Sequence, residues 1–345
     1  MFRKFVSFVC PLVLFFAPAF AEGRVTGSVR AGAEWDDNAL RTENQDPVSD
    51  VLARYIAALT LQYPGADRSV VVFDLTHGGK FFATQPEADT LLTQVYLGYQ
   101  HRLTEMMGIY IQLDVKDRTE RESHRDYNRG GIGAGADFFA GDFSLRVGGA
   151  ARYFAFKPSP DASSSNVEAS SRLRWDFASS AYASVNYTYA RRSFETSRFV
   201  LNDTGIDEDP SSLRADAFHV AGVSVGWKGP AVLEASYVYS VNTSNSYGQN
   251  LRRHGADLTA TAALPWQLFV SGHLELQRTT YEDPVLIDAS FLVDEDNRNS
   301  LVGSVARALG DSWEVELRYS LYLQEFGVGS DYQRQTLMLA TGYLF

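Results

Sequence analysis

The chain has 345 residues, with 31 Lys and Arg against 42 Asp and Glu and a formal net charge of −11, which argues against nucleic acid as a partner. Hydrophobic residues make up 45% and mean hydropathy is negative at −0.19, so a bundle of membrane-spanning helices is excluded. A wall of strands that buries every second side chain in lipid tolerates this balance.

Arg3 and Lys4 precede an apolar run from Phe5 to Phe16, and Ala17-Pro18-Ala19-Phe20-Ala21 follows with small residues where a signal peptidase reads. We expect residues 1–21 to be a cleaved secretory signal, because the run is shorter than the roughly 20 residues of a spanning helix. Cleavage before Glu22 removes Arg3 and Lys4 and takes the net charge from −11 to −13. The sole cysteine, Cys10, leaves with the signal, and neither disulfides nor a thiolate site are then expected.

From there to the end the pattern is two-residue alternation. The first run places Val25, Val29, Ala31, Ala33 and Trp35 on one face, and the second Tyr55, Ala57, Leu59, Leu61 and Tyr63. Further runs follow at Val71–Leu75, Thr93–Tyr99, Met107–Val115, Ile132–Phe138, Phe143–Tyr153 and Val167–Phe177. The second half continues with Ala183–Tyr189, Val223–Trp227, Leu233–Tyr239, Leu258–Leu264, Trp266–Leu276, Ser300–Leu309, Trp313–Leu321 and Leu337–Phe345. That makes sixteen strands, with fourteen or eighteen as the neighbouring even counts. Connections alternate short and long. Pro64 to Asp67, Ala140 to Asp142, Ala178 to Ser180, Lys228 to Pro230, Pro265 and Gly310 to Ser312 are short, whereas Asp37 to Asp50, Lys116 to Tyr127, Arg192 to Leu213 and Tyr281 to Asn297 are long. The expected fold is all-β: one closed antiparallel transmembrane β-barrel over residues 22–345, in the outer membrane of a Gram-negative bacterium, with short turns on the periplasmic side. A soluble exported β-protein is the alternative.

Aromatic residues beside the short turns, namely Tyr63, Phe138, Trp175, Phe177, Trp227, Trp266, Trp313 and Tyr343, should form the periplasmic girdle. The terminal Tyr343 and Phe345 are read as the barrel-assembly signal, with the barrel-assembly machinery, outer-membrane lipid and lipopolysaccharide as expected partners.

Inward positions decide function. Arg146, Arg172 and Arg174 lie near one short turn, and Glu234, Glu314 and Glu316 near others. With strands seven and fifteen half a circumference apart, a basic arc opposite an acidic arc would order water across the bore and select polar solutes. Lateral pairing, as of Arg318 with Glu316, is the alternative, and it would only keep the wall wet. Inward Gly131, Gly133 and Gly135 either make room for an inserted loop or permit tight packing. The outer loops carry Asp203, Asp207, Glu208 and Asp209, and then Asp283, Asp288, Asp294, Glu295 and Asp296. These read as a solvated rim or as carboxylates sharing divalent cations with lipopolysaccharide phosphates. His77, His101, His124, His219, His254 and His273 are scattered without metal-ligand spacing. No enzyme, metal or cofactor is expected.

Two segments resemble a known family. Ala33-Glu34-Trp35-Asp36-Asp37-Asn38 is similar to the aromatic-Asp-Asp-Asn segment that opens barrels of the surface lipoprotein assembly modifier family. Arg318-Tyr319, with Tyr332-Gln333-Arg334-Gln335 through to Phe345, resembles their last hairpin. The resemblance implies a barrel that helps a lipoprotein or polymer reach the surface. Family members carry a helical-repeat periplasmic domain before the barrel, and no such domain is read here. A porin-like channel for polar solutes is therefore the first expectation, and an export or surface-assembly barrel with a separate periplasmic partner or surface lipoprotein the second.

Overall fold

The computed structural model describes residues 23–41, 47–65, 68–122, 125–203, 205–283, 298–324 and 333–345. The signal segment, His124, Tyr332 and the acidic positions from Asp288 to Asp296 lie outside them.

Sixteen strands form one closed antiparallel ring in which each pairs with its sequence neighbours. They are β1 (Arg24–Asp36), β2 (Asp50–Gly65), β3 (Ser69–Phe82), β4 (Thr90–Arg102), β5 (Met107–Glu120), β6 (Tyr127–Ala140), β7 (Phe143–Phe156) and β8 (Ser164–Ala178). The second half comprises β9 (Ala181–Asn202), β10 (Gly205–Lys228), β11 (Ala231–Ser244), β12 (Leu251–Leu264), β13 (Leu268–Tyr281), β14 (Arg298–Leu309), β15 (Trp313–Gln324) and β16 (Gln333–Leu344). The expected count of sixteen holds, and no described helix is long and apolar enough to cross a membrane.

Period two dictates the two faces. Odd positions of β1, including Val29 and Trp35, are exposed on the outside, whereas Glu34 and Asp36 are buried on the inside. The same alternation puts Ile111, Leu113, Val223, Val225, Leu317 and Leu339 outside. A soluble domain would bury these side chains. A closed ring leaves no edge, so the polar backbone is paired within the wall even where its outer face is apolar.

Seven of the eight girdle aromatics occupy outward strand positions beside short turns, and the eighth, Trp266, lies exposed in a turn itself. Trp313 and Tyr343 lie 5.1 Å apart between ring centres, and Phe143 and Trp175 stack at 5.9 Å. Trp266 holds a positive φ of 62° in the turn after Pro265.

The structure corrects one boundary. The predicted loop from Arg192 to Leu213 is mostly strand, since β9 continues to Asn202 and β10 starts at Gly205, with register shifts near Asp209 and Leu213. This hairpin rises above its neighbours, where no lipid imposes apolar alternation, and its sequence gives no strand signal for that reason.

Two long-loop hairpins share one cap at a constant sequence offset. Between β3 and β4, a 3-10 turn at Pro86–Ala88 is closed by Asp89 N–H donating to Pro86 O, while Asp89 Oδ1 accepts Phe82 N–H at 2.8 Å. Between β7 and β8, Pro160–Ala162 is closed by Ser163 N–H donating to Pro160 O, and Ser163 Oγ accepts Phe156 N–H at 3.0 Å. Pro presets the turn and a short polar side chain satisfies the last strand amide.

Candidate functional site

The inner wall is polar on every side, and its charges are arranged in lateral pairs. Arg146 and Arg172 are direct cross-strand partners on β7 and β8, and Arg174 follows on β8, so the structure brings the basic trio together. Each member also has its own local contact. Arg146 Nε donates to Asp137 at 2.7 Å and its guanidinium covers the Tyr110 ring at 4.5 Å. Arg174 pairs with Asp176 at 2.6 Å and covers Tyr182 at 3.8 Å, while Arg172 donates to Ser184 Oγ at 3.3 Å. On the other side of the ring, Glu314 and Glu316 of β15 face Arg30 of β1, and Glu316 also accepts Arg318 Nη2 at 2.8 Å. β15 lies eight places from β7 in the ring, directly across it, whereas Glu234 on β11 stands midway between them and is opposite neither.

Gly131, Gly133 and Gly135 of β6 and Gly148 on β7 are closely packed by their neighbours, Gly135 by the backbone at Val147 as well as by side chains. A Cβ on Gly135 or Gly148 would meet Tyr110, one on Gly131 would meet Arg152, and one on Gly133 would meet Gln112. Long polar side chains thus lie flat against the wall where glycines make it thin.

Nearer the long-loop end, the structure assembles a cluster that strand periodicity did not single out. Glu34, 1% exposed, accepts Arg54 Nη1 at 2.6 Å and Lys80 Nζ at 2.8 Å, using both carboxylate oxygens. Two residues on, Asp36 is fully buried and receives Arg334 Nε at 2.9 Å on one oxygen and 3.1 Å on the other, with Arg334 Nη2 completing a fork. The segments that carry the family resemblance therefore meet. Asn38 Nδ2 donates to Gln333 O at 3.2 Å, and Gln335 N–H donates to Asp37 Oδ1 at 2.6 Å. Together they clasp β1 to β16.

Beside the clasp, a cavity of about 250 Å³ is lined by Arg41, Arg54, Lys80, Arg118 and Arg334 with Tyr322 and, among the described residues, by no carboxylate. Four of these cations are ion-paired, Arg54 and Lys80 with Glu34, Arg334 with Asp36 and Arg118 with Glu120, so cations outnumber carboxylates around the cavity. Lower on β12 and β13, Asp257, His273 and Glu275 bring one ligand atom each within 4.8 Å of one another. Ser236 Oγ donates to Asp257, and His273 Nδ1 lies 3.0 Å from Thr259 Oγ1. This is a donor set of the kind that takes a divalent transition metal. Chain spacing hid it because cross-strand pairing, Asp257 with Glu275, brings the groups together.

No family model matches this sequence, and no curated protein matches it. Solved structures do. OccAB1 of Acinetobacter baumannii is 10% identical, with a TM-score of 0.50 over 94% of this chain and 97% of that one. OmpT, an outer membrane protein of Vibrio cholerae, is 9% identical with a TM-score of 0.46, covering 94% and 97%. A bacterial polysaccharide outer membrane secretin is 10% identical with a TM-score of 0.44, covering 92% and 98%. At 10% identity the likeness to OccAB1 is one of fold: this chain forms a barrel of the outer-membrane type.

Proposed function

We propose that this protein is a passive, porin-like channel of the Gram-negative outer membrane that conducts polar solutes and favours anionic ones. The observation that carries the reading is the solvent access of inward charges partway down the wall. The side chains of Arg146, Arg152 and Arg174 remain 45%, 33% and 32% exposed although they point into the ring. Inward charge that keeps contact with water lines a wet bore, where charged rings act on passing ions. The excess of cations over carboxylates around this cavity, five against Glu34, Asp36 and Glu120, supports the anion preference, because a narrow bore with low-dielectric walls strengthens their field. No catalytic step is part of this reading.

The test is conductance in planar bilayers with a salt gradient. The parent should form discrete channels whose reversal potential favours anions. The variant Glu34→Gln/Arg54→Gln/Lys80→Gln removes two cations with the carboxylate they cover, leaving no bare buried charge, and should move the potential toward zero. Absence of conductance from inserted protein would overturn the channel reading.

An export or surface-assembly barrel is the second reading, supported by the two segments that resemble the lipoprotein assembly modifiers. Those segments are the clasp between β1 and β16, and a shared closure is compatible with either cargo or solutes. Co-purification of a surface lipoprotein from native membranes, together with loss of that lipoprotein from the cell surface on deletion, would favour it.

A further inference from the structure

We propose that the outer wall of β9 to β13 binds the phosphate groups of a glycolipid in the outer leaflet. The proposal rests on the membrane placement given above and not on conductance.

Charged and imidazole side chains are costly on a lipid-facing surface and need a reason. Five stand together here: Arg191 on β9, His219 on β10, Arg252 and His254 on β12, and Arg278 on β13, all exposed on the outer face. Register makes them contiguous. His254 is the cross-strand partner of both Tyr239 and Arg278, Arg252 is the partner of Val241, and Val241 is also the partner of His219. On the other side His219 partners Tyr189, two residues before Arg191.

Their height is common. Arg191 stands ten residues above the start of β9, Arg278 ten above the start of β13, His219 nine above the end of β10 and His254 ten above the end of β12. A strand tilted at about 40° climbs roughly 2.6 Å per residue along the barrel axis, so the patch sits about 25 Å above the aromatic girdle. That is the height of the apolar band, and it puts the patch where the outer leaflet carries its headgroup phosphates.

The aromatic surroundings repeat. The Tyr187 hydroxyl lies 2.8 Å from His219 Nδ1, and the Tyr237 hydroxyl 2.6 Å from His254 Nδ1. With each tyrosine donating to Nδ1, the imidazole proton resides on Nε2, an N–H left for an outside acceptor. Tyr189 and Tyr239 pack on the same imidazoles at 5.1 and 4.9 Å. Arg252 meets Glu282 at 3.2 Å, an exposed pair, whereas among the described residues Arg191 and Arg278 pair with no carboxylate. Elsewhere on the outer rim Lys157 is neutralised by Asp117 at 2.9 Å. A bidentate guanidinium suits phosphate, and two flanking imidazole donors suit the remaining oxygens.

The experiment measures binding of bis-phosphorylated lipid A and of its dephosphorylated form to the refolded full barrel in detergent, by native mass spectrometry. Heat-modifiable mobility reports insertion of every variant independently. The parent should hold the phosphorylated lipid at least tenfold more tightly. Arg191→Gln/Arg252→Gln/Arg278→Gln should erase that difference, His219→Phe/His254→Phe should reduce it severalfold, and Lys157→Gln should leave it intact. Equal retention of the two lipids by the parent, or equal loss in the Lys157 variant and the triple variant, would overturn the proposal.

Discussion

Replacing Arg334 by methionine removes one half of the clasp and leaves the Asp36 carboxylate buried without its counter-charge. Asp36 is 0% and the Arg334 side chain 6% exposed, so water screens the pair very little. Two of the three contacts measure 2.9 and 3.1 Å from Nε, and the Asn38 backbone N–H also donates to Asp36 Oδ1 at 3.1 Å, which holds the carboxylate in place after the arginine is gone. Stripping one partner from such a pair costs about 3–5 kcal/mol, whereas neutralising both is often close to neutral. We therefore expect Arg334→Met to destabilise by about 3–5 kcal/mol and Asp36→Asn/Arg334→Met to recover most of that loss. The assay is urea unfolding and refolding in lipid vesicles, followed by tryptophan fluorescence and heat-modifiable mobility, with both single variants and the double variant closing a cycle. A loss below about 1 kcal/mol for Arg334→Met, the range of an exposed pair, would refute the reasoning. A double variant no more stable than the single would do the same.

The chain end closes the ring through Gly27 N–H to Phe345 O at 2.8 Å and Phe345 N–H to Gly27 O at 3.0 Å, so deleting Phe345, or changing Tyr343 and Phe345 to lysine, should leave the protein uninserted in the periplasm; normal heat-modifiable material in the membrane fraction would contradict this. Gly148→Leu should cost about 1–3 kcal/mol, because its Cβ would fall 2.1 Å from the Tyr110 hydroxyl, while Gly272→Ala, with open space around it, should stay within about 0.5 kcal/mol on the same unfolding measurement. Arg146→Glu/Arg172→Glu/Arg174→Glu should shift the bilayer reversal potential toward cations without impairing insertion, and an unchanged potential would remove these three residues from selectivity.

The strand plan was legible because a wall between lipid and water must alternate. Val223, Val225 and Trp227 declare β10 as plainly as Leu337, Leu339 and Tyr343 declare β16. The upper halves of β9 and β10 were not legible, since a hairpin beyond the membrane has water on both faces and Asp207 or Ser211 serves there as well as valine. Among the inward charges, position was readable and partnership was not. Arg146 was expected to face the bore, but Asp137, its partner across the β6–β7 turn, was not named as such. Arg334 stands out in the sequence only as part of a terminal motif, because nothing local ties it to a carboxylate near the start of the barrel. Asp257, His273 and Glu275 became neighbours only once register was known.

The clasp also separates two kinds of information held in the same residues. Asp36, Asp37 and Asn38 engage Arg334, Gln335 and Gln333 within the wall, at the one seam that sequence-adjacent hairpins cannot close. A barrel must pair its first and last strands whatever it transports, and a buried forked pair fixes that register because a slip would strand two charges among apolar neighbours. Resemblance confined to these segments therefore reports how a ring of strands is closed. On the channel reading proposed above, selectivity rests instead on inward side chains that reach water, such as Arg146, Arg152 and Arg174.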